Sequence, residues 1–548
     1  MEVKLFCGIV TLLLLFDGGL SKGGPKSPPN IIVIMADDLG SNDMSFRGSN
    51  QIPTPNIDAL GYQGVILNRH YVPALCSPSR AALLTGKYPI HTGLQHSVIV
   101  SDEPWSLSTR EKLLPQYLKE CAAYRTHMVG KWHLGFARKR FTPLQRGFDS
   151  HFGVWGPGLS YFSHRFVLPW APWYDGHDMR RNENVTYESA GQYLTDVITD
   201  EAVEVIRRHD DKQPLFLAVT HVAPHAAEET DPLQAPEEEI RQFGYIEDPK
   251  RRIYAAMVAS LDKSVGRIVM ALQETELLRN SLVLFYSDNG APSQGLYATT
   301  GSNYPLRGQK ASPWEGGIRQ PAVIWSPLIE KRHRVSDELI YSTDWLPTLV
   351  GLCRGDVNSN LDGFDLWRTI SRDKASPRRE ILHNIDPLGG YSSYYRDGWK
   401  YVNGSMAPQF DGWLGRVAGV DKAPAATAYA EMVMKSPTWR ALAPLAAKRL
   451  KVADIKRLRD RTQIRCSRWF RSNPCDPQNA PCLFHVDTDP CEENNLARRF
   501  GWKLKQMEER VKEFQQSAVP PRNRPSDPMS NPVHWNDVWT SWLDEMSV

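Results

Sequence analysis

Uninterrupted runs of apolar and β-branched residues recur along the first two thirds of the chain, with amphipathic segments between them. Three runs lack polar alternation, which is the pattern of strands buried on both faces of a parallel sheet: Asn30 to Ala36, Pro214 to Val219 and Ser281 to Ser287. Segments of helical character lie between them at residues 57–62, 112–121, 193–208 and 254–274, and a last helix is predicted at residues 342–350. This alternation predicts an α/β fold with a large, doubly wound, mostly parallel sheet.

The pattern changes near residue 376. Short strand-like runs follow at Trp399 to Val402 and at Leu483 to Val486, and an Ala/Lys/Arg-rich helical stretch occupies about residues 423–458. A chain of 548 residues is also too long for one ordinary core. We therefore expect an α/β catalytic domain over residues 28–375 and a smaller C-terminal α+β domain over residues 376–548, with a helical insertion at about 405–460.

The N-terminus has the pattern of a secretory signal, predicted over residues 1–22. An apolar run from Leu5 to Phe16 is shorter than the roughly 20 residues needed to cross a bilayer, and later runs are no longer. We therefore expect a lysosomal or secreted protein without a membrane span. The formal charge is +3 and no long basic run occurs, which argues against nucleic-acid binding. Sequons at Asn184 and Asn403 predict a glycoprotein.

The cysteine count is odd once the signal is removed. Of the 8 cysteines, Cys7 lies in the predicted signal. Six of the others allow three disulfides whose connectivity the sequence does not determine: Cys121, Cys353, Cys466, Cys475, Cys482 and Cys491. The remaining residue is Cys76, which is expected to be unpaired or chemically altered.

Cys76 begins a stretch with the features of a helix start. Ser77 is a suitable N-cap, Pro78 suits the first helical position, and an apolar helix follows. Cys76 is then expected at the positive end of the helix, where a thiol pKa falls and anions are attracted, with Arg80 about one turn further on. An ordinary disulfide at Cys76 is the alternative.

Polar residues follow each of the predicted central strands. Asp37 and Asp38 follow the first run, Asp288 and Asn289 follow the third, and His225 lies just beyond the second. Open α/β sheets bind ligands beyond the carboxyl ends of their strands, and hard oxygen ligands suit Ca²⁺ or Mg²⁺ better than zinc. A simple Asx turn after the first strand is the alternative for Asp37 and Asp38.

Several motifs resemble those of type I sulfatases, in the same order. Residues 76–80 match the signature C-x-P-x-R, and residues 129–135, Val-Gly-Lys-Trp-His-Leu-Gly, resemble the second signature. The likeness continues at residues 84–88, 147–149, 287–290, 305–310, 314–319 and 361–365. Residues 92–96 and 382–387 resemble the arylsulfatase B-like branch most. The resemblance implies an alkaline phosphatase/sulfatase-like fold.

The resemblance also implies the cofactors and the active residues. It implies that a formylglycine-generating enzyme converts Cys76 to 3-oxoalanine (formylglycine), and that one Ca²⁺ is held by Asp37, Asp38, Asp288, Asn289 and the modified Cys76. The catalytic residues implied are Cys76, Arg80, Lys131, His133, His225 and Lys310. His221 competes with His225 for the role of active-site histidine, because the segment that follows is longer than usual.

The activity implied is hydrolysis of sulfate monoesters through a formylglycine diol and a covalent sulfo-enzyme intermediate, acting on sulfated sugars such as N-acetylgalactosamine 4-sulfate. Residues 405–458 diverge from the family, so sulfated plant metabolites such as glucosinolates are an alternative substrate class. A silent secreted binding protein is a second alternative, although it would be expected to lose Cys76, Arg80 or a metal acid. A zinc phosphodiesterase would need a Ser or Thr nucleophile and Asp-His metal pairs, whereas here Asp288 is followed by Asn289 and the nucleophile position is Cys76, so the residue types argue against this class. Aromatic residues that form either a stacking rim for the substrate or part of the core are Trp155, Tyr161, Trp170, Trp173 and Trp413.

Overall fold

The computed structural model describes residues 27–228, 230–295, 297–414, 426–466 and 475–546. Its strands are β1 (Asn30–Ala36), β2 (Val65–Leu67), β3 (His70–Tyr71), β4 (Arg125–Lys131), β5 (Ser150–Val154), β6 (Arg165–Leu168), β7 (Ala171–His177), β8 (Met179–Arg181), β9 (Asn184–Val185), β10 (Leu215–Thr220), β11 (Ser281–Ser287), β12 (Ala322–Trp325), β13 (Arg334–Ser336), β14 (Ile340–Tyr341), β15 (Glu380–Asp386), β16 (Tyr391–Arg396), β17 (Trp399–Asn403) and β18 (Cys482–His485). Its helices are α1 (Pro55–Gln63), α2 (Cys76–Thr85), α3 (Pro89–Thr92), α4 (Leu114–Ala122), α5 (Leu194–Arg208), α6 (Glu237–Arg241), α7 (Pro249–Glu274), α8 (Glu315–Ile318), α9 (Trp345–Leu352), α10 (Trp367–Arg372), α11 (Ala426–Lys435), α12 (Pro437–Leu442), α13 (Val452–Thr462), α14 (Gly501–Ser517) and α15 (Trp542–Glu545). The predicted signal at residues 1–22 lies outside the described residues.

The large sheet has ten strands in the order β13-β2-β12-β11-β1-β10-β4-β5-β8-β9. Its five central strands, from β11 to β5, run parallel, and antiparallel pairs flank them on both sides. The three strands predicted from apolar runs, β1, β10 and β11, are buried along their whole length. The predicted fold class is confirmed. The short flanking strands carry two to four residues each, too few to show a periodicity in the sequence.

The longest of the described helices, α7, packs against α5, α12 and α1. It begins at Pro249, five residues before the predicted start at Tyr254. The Asp248 carboxylate accepts hydrogen bonds from the backbone N–H groups of Lys250 and Arg251, and Pro249 has no N–H to satisfy. The cap therefore sets the start of the helix, upstream of its first apolar residues.

A second, antiparallel sheet has four strands in the order β15-β16-β17-β18. Helix α14 packs against this sheet, and together they enclose a separate apolar core. Helices α11 and α12 lie elsewhere, because both pack against α1 and α12 also packs against α7. The Tyr62 and Tyr429 hydroxyls are 2.9 Å apart, and the Thr438 N–H donates to Asn56 Oδ1 at 3.1 Å. The division into two domains at residue 375 stays a prediction, since segments beyond it contact both sheets.

Three disulfides join Cys121 to Cys353, Cys466 to Cys491 and Cys475 to Cys482. Cys76 is buried and free, so the alternative of a disulfide at this position is wrong. Within the described ranges, no helix is both long enough and apolar enough to span a bilayer.

Candidate active site

The carboxyl ends of β1 and β11 bring three acids and an amide together. Ala36 and Ser287 are paired at the ends of these strands, so the residues after them are adjacent. The Asp38 N–H donates to Asp288 Oδ1 at 3.3 Å, and Asn289 Nδ2 donates to Asp38 Oδ1 at 2.6 Å. All of these side chains are inaccessible to solvent. The sheet register therefore builds the acidic group that the two separate motifs predict.

Helix α2 places Cys76 against this acidic group. Its sulfur lies 3.4 Å from Asp37 Oδ1 and 4.0 Å from Asp38 Oδ1. One ligand atom from each of Asp37, Asp38, Cys76 and Asp288 can be chosen so that all four lie within 4.8 Å of one another. This spacing is compatible with a single ion that all four residues contact.

Two expectations about the start of α2 are wrong. The helix begins at Cys76 with Leu75 as the cap residue, and the Ser77 hydroxyl makes no cap bond. Ser77 Oγ instead donates to the His133 carbonyl at 2.9 Å and accepts from the Ile99 N–H at 3.1 Å. The pKa of the Cys76 thiol is raised, not lowered, because burial and the neighbouring Asp37 outweigh Lys310 and Lys131. A short helix end is a weaker influence than complete desolvation beside a carboxylate.

Three buried or nearly buried cations surround the acids. Arg80 Nη2 lies 3.3 Å from Asp37 Oδ2 and 3.1 Å from Asp288 Oδ2. The Lys131 ammonium contacts Asp37, and Lys310 Nζ lies 2.7 Å from Asp38 Oδ1. Lys310 is 15% exposed whereas Lys131 is fully buried, so Lys310 is the cation nearer the opening of the site. We call Asp37, Asp38, Asp288, Arg80, Lys131 and Lys310 the edge cluster.

The close packing of β4 against β10 fixes the position of Lys131. Gly130 has a φ of +115°, and a Cβ at this position would lie 2.0 Å from the Thr220 carbonyl oxygen, so only glycine fits. The Lys131 carbonyl accepts hydrogen bonds from Thr220 Oγ1 at 2.9 Å and from Arg80 Nη1 at 2.7 Å. The Gly-Lys pair of the second signature thus places a rigidly held ammonium among the acids.

The charges within the edge cluster shift one another's pKa values. Burial alone would raise the pKa of Asp37, but Lys131, His225, Arg80 and Lys310 together hold it well below the usual range. Burial and the neighbouring Asp37 raise the pKa of Asp288 to about 7. For Lys310, attraction to Asp38 and other anions outweighs burial and raises the pKa. Lys310 therefore keeps its positive charge, which can contribute to binding an anion.

His133 is held as a neutral imidazole. Its Nε2 lies 3.0 Å from the Ile99 carbonyl, which can only accept, so Nε2 carries the proton. Nδ1 is buried and has no hydrogen-bond partner among the described residues. Burial, Lys131 and Arg80 hold the pKa of His133 well below its ordinary value. This leaves an unprotonated nitrogen available as a base.

The structure separates the two candidate histidines that follow β10. His225 Nε2 lies 3.6 Å from Asp38 Oδ2, while its Nδ1 lies 2.6 Å from the Ala226 carbonyl. Burial lowers the pKa of His225 to about 4. His221 points away, with Nε2 2.9 Å from the Ser264 hydroxyl on α7. His225 is therefore the histidine that the fold brings to the acids.

Three further residues border His225, and no motif in the sequence marks them as its neighbours. The Tyr297 ring centroid lies 5.5 Å from that of His225. Gly158 faces the imidazole so closely that a Cβ would lie 3.3 Å from His225 Nδ1, and the Tyr161 hydroxyl donates to the His225 carbonyl at 2.8 Å. All three lie in irregular segments, where periodicity does not identify a site residue.

The donor set fits a hard divalent cation. It offers three carboxylates, and Asn289 Oδ1 is buried without a hydrogen-bond partner in the described part of the chain. An unsatisfied buried amide oxygen costs free energy, which coordination to a cation would offset. The chemistry of these donors supports the predicted metal site.

Comparisons with known proteins indicate the same family as the sequence motifs. The family model described as Sulfatase matches residues 29–355. The chain is 37% identical over 524 residues to arylsulfatase J of Mus musculus, covering 95% of this chain and 81% of that protein. It is 33% identical over 417 residues to N-acetylgalactosamine-6-sulfatase of Canis lupus familiaris, covering 72% of this chain and 76% of that protein. The crystal structure of Ps i-CgsB in complex with k-i-k-neocarrahexaose matches with a TM-score of 0.69 and 25% identity, covering 95% of this chain and 98% of that chain.

The assignment to the arylsulfatase B-like branch stays a prediction, because these relatives do not single out that branch. The assignment to the family does not depend on which branch the chain belongs to. Its model matches more than half of the chain, and arylsulfatase J aligns along nearly all of it. The chain therefore belongs to the sulfatase family and is a sulfuric ester hydrolase.

Proposed function

We propose that this protein removes sulfate from sulfated sugars, with N-acetylgalactosamine 4-sulfate as the first candidate substrate, at residue 76. The observation that supports this most is the free, buried Cys76 within 4.0 Å of two carboxylates, in a chain whose other described cysteines are all paired. A thiol with a purely structural role does not require carboxylates around it, whereas a cysteine that is converted into a polar reactive group requires polar surroundings.

Membership of the family implies a formylglycine at Cys76 and a metal ion, which we propose to be one Ca²⁺ held by Asp37, Asp38, Asp288, Asn289 and residue 76. The hydrated aldehyde would supply one hydroxyl to attack sulfur, and loss of the proton from its second hydroxyl would re-form the aldehyde as sulfate leaves. The ion adds positive charge to a cluster in which three acids balance three cations.

Arg80, Lys131 and Lys310 bind and neutralise the sulfate group. Their positions are fixed by ion pairs and by the Lys131 carbonyl, so little reorganisation is needed as charge moves onto the leaving oxygen. Lys310 is the most exposed of the three, which suits a contact with the ester oxygen of an entering substrate. The three cations therefore stabilise the transition state more than the free ester.

Two proton transfers are part of this mechanism. His133 Nδ1, unprotonated and without a partner among the described residues, takes the proton from the second hydroxyl of residue 76. Lys310 and His225 are the two candidates to protonate the leaving alcohol. Lys310 is favoured, because its raised pKa keeps it protonated, whereas the low pKa of His225 and the contact of its Nδ1 with the Ala226 carbonyl leave Nε2, which faces Asp38, without a proton. His221 has no part in the reaction, since it bonds to Ser264 on α7.

The sugar class is supported by two similar proteins. One is an N-acetylgalactosamine-6-sulfatase, and the other binds k-i-k-neocarrahexaose in its crystal structure. Sulfated plant metabolites such as glucosinolates stay the alternative class. A silent binding protein would be expected to lose Cys76, Arg80 or a metal acid, and all are present.

We propose a secretory-pathway protein, lysosomal or secreted, that meets the formylglycine-generating enzyme during synthesis. Three disulfides support this, because such bonds persist in oxidising compartments.

Sulfate release from a substrate panel tests the proposed function. The panel contains an aryl sulfate, 4-sulfated and 6-sulfated galactosaminoglycan oligosaccharides and a glucosinolate, and the enzyme carries formylglycine verified by peptide mass spectrometry. We expect the highest kcat/KM on a sulfated galactosaminoglycan. Absence of release from every substrate by verified enzyme would contradict the proposal, and a preference for the glucosinolate would replace the sugar class.

A further inference from the structure

The candidate aromatic residues have very different exposures. Trp155 and Tyr161 are buried in the core, and the half-buried Trp413 donates from Nε1 to the Cys491 carbonyl at 2.8 Å. Trp170 and Trp173 are 56% and 70% exposed. Two indole rings three residues apart leave a large apolar surface in water, which is unusual without a binding role.

Trp170 and Trp173 lie at the tip of the β6–β7 hairpin, which is firmly anchored. Trp539 Nε1 donates to the Phe166 carbonyl at 3.0 Å, and the Tyr174 ring centroid lies 6.4 Å from that of Trp539. Pro169 and Pro172 flank the tip and restrict its backbone. The two indoles are therefore carried on a rigid support, which lowers the entropic cost of binding.

Strand β7 of the hairpin lies near the loop that carries His225. Tyr174 packs against Trp539 and anchors the strand, and the register of β6 against β7 shifts between Val167 and Leu168, next to the exposed Trp173. Asp175 lies close enough to Glu228 to contribute, after burial and Asp231, to the raised pKa of that carboxyl. Glu228 is three residues beyond His225 in the chain. The strand that carries Trp173 therefore lies near the segment that follows His225.

The base of the hairpin adjoins the reaction centre. The Ser160 N–H donates to the Arg165 carbonyl at 2.9 Å, and Gly158, two residues earlier, faces the His225 ring. Trp170 lies five positions beyond Arg165, a span of at most about 17 Å in an extended strand. The indoles are therefore within reach of another sugar of a glycan chain whose sulfated residue occupies the site.

The chemistry of the tip favours a sugar over a lipid surface. Arg165 and Asp175 form an ion pair at 2.8 Å, so this side of the hairpin carries no net positive charge for anionic lipid. The flat indole faces suit the apolar C–H face of a sugar ring, while the ring edges leave the sugar hydroxyls in water.

We propose that Trp170 and Trp173 form a binding subsite that stacks on a sugar ring of a glycan substrate, outside the pocket that holds the sulfated residue. This inference rests on the proposed function, since it needs a substrate of several sugars. The hairpin then gives the enzyme a preference for longer glycan chains, which the residues around Cys76 do not provide.

Chain-length dependence of sulfate release tests the proposal. The full-length enzyme, the double variant Trp170→Ala/Trp173→Ala and the control Trp502→Ala are compared on a sulfated N-acetylgalactosamine monosaccharide and on a sulfated hexasaccharide. Trp502 is 69% exposed on α14, away from the hairpin. We expect the double variant to lower the hexasaccharide-to-monosaccharide ratio of kcat/KM by about tenfold, mainly through KM, and the control to leave the ratio unchanged.

An unchanged ratio in the double variant would overturn the subsite. So would loss of vesicle binding or of self-association by the variant at an unchanged ratio, because the indoles would then cover a lipid or protein surface. Monosaccharide turnover and the melting temperature show that the variants are folded. Failure of the proposed function is distinguishable, since the wild-type enzyme would then release sulfate from neither sugar.

Discussion

Two groups of buried charges among the described residues differ in their surroundings. The edge cluster lies at the carboxyl end of the large sheet. The second, which we call the inter-sheet cluster, consists of Glu315, Lys400 and Glu492, where the large sheet meets the small one. Lys400 Nζ lies 3.1 Å from Glu315 Oε1 and 2.7 Å from Glu492 Oε1, and all three side chains are fully buried. Both clusters contain acids and cations in contact, so buried charge alone does not identify a site.

The difference lies in how the acids of each cluster are arranged and in whether the cluster has an accessible member. Beside the edge cluster, Asn289 Oδ1 and His133 Nδ1 have no hydrogen-bond partner among the described residues. In the inter-sheet cluster, Tyr71 donates to Glu315 Oε2 at 2.8 Å and the Glu315 N–H donates to Glu492 Oε2 at 2.9 Å. The inter-sheet groups bind one another across two sheets and are fully buried, whereas the edge cluster brings three carboxylates and Cys76 within reach of one ion and includes the partly exposed Lys310. We therefore expect the first cluster to act in catalysis and the second in stability.

The largest expected effect is on turnover, from Cys76→Ser in the edge cluster. Serine offers one hydroxyl, so it can accept sulfate but has no second hydroxyl through which to eliminate it. We expect steady-state activity to fall about a thousandfold or more, with the melting temperature nearly unchanged. Peptide mass spectrometry should show a stable sulfate adduct at residue 76 of the variant and an aldehyde at the same position of the wild type. Steady turnover by the variant would contradict the diol mechanism.

Lys400→Met should separate stability from activity. It leaves Glu315 and Glu492 buried without their cation, which costs about 3–5 kcal/mol of unfolding free energy. The matched variant Lys131→Met should lose less stability, because Arg80 stays on Asp37, but should lose most of its activity. Denaturant unfolding and kcat/KM measure the two effects. Adding Glu315→Gln and Glu492→Gln to Lys400→Met should recover part of the lost stability. Equal losses of stability and of activity in the two lysine variants would contradict the separate roles of the two clusters.

Removal of divalent cations should affect the edge cluster alone. A chelator is expected to abolish sulfate release and lower the melting temperature, because an ion that binds only the folded state stabilises it by mass action. Added Ca²⁺ should restore both. Asp288→Asn should weaken the response to Ca²⁺, whereas the stability loss of Lys400→Met should be the same with and without the ion. Full activity in excess chelator would rule out the metal site.

The smallest expected effect concerns Asp262, a buried carboxyl outside both clusters. Burial raises its pKa from 3.8 to about 7, although it accepts hydrogen bonds from the N–H groups of Asn56 and Ile57. Since the folded state holds this proton more tightly than the unfolded chain, stability rises as the pH falls from about 7 towards 4 and is lost as the pH rises. We expect the melting temperature to rise by a few degrees between pH 7.5 and 5.

Asp262→Asn is the matched variant for this effect, because its amide oxygen keeps the acceptor without the titration. The variant should show a smaller pH dependence of the melting temperature than the wild type. The same slope in both proteins would mean that other carboxyls cause it.

The sequence by itself determined the parts of this protein that depend on neighbouring residues. The apolar runs of β1, β10 and β11 predicted the central strands, because a strand buried on both faces has no polar positions. The odd cysteine singled out Cys76, and the motifs located every residue of the edge cluster. These features are local in sequence, so they could be recognised without knowing which elements pack together.

Only the tertiary structure decided what depends on contacts between distant residues. It directed Ser77 to His133 and Ile99 instead of its own helix, and it brought His225 to Asp38 while turning His221 towards α7. It raised the thiol pKa of Cys76 that the helix start alone predicts to fall. The reason is that burial and the partners of a polar group are properties of the packed sheet. A residue pair 250 positions apart, such as Asp38 and Asp288, acquires them only through the register of β1 against β11.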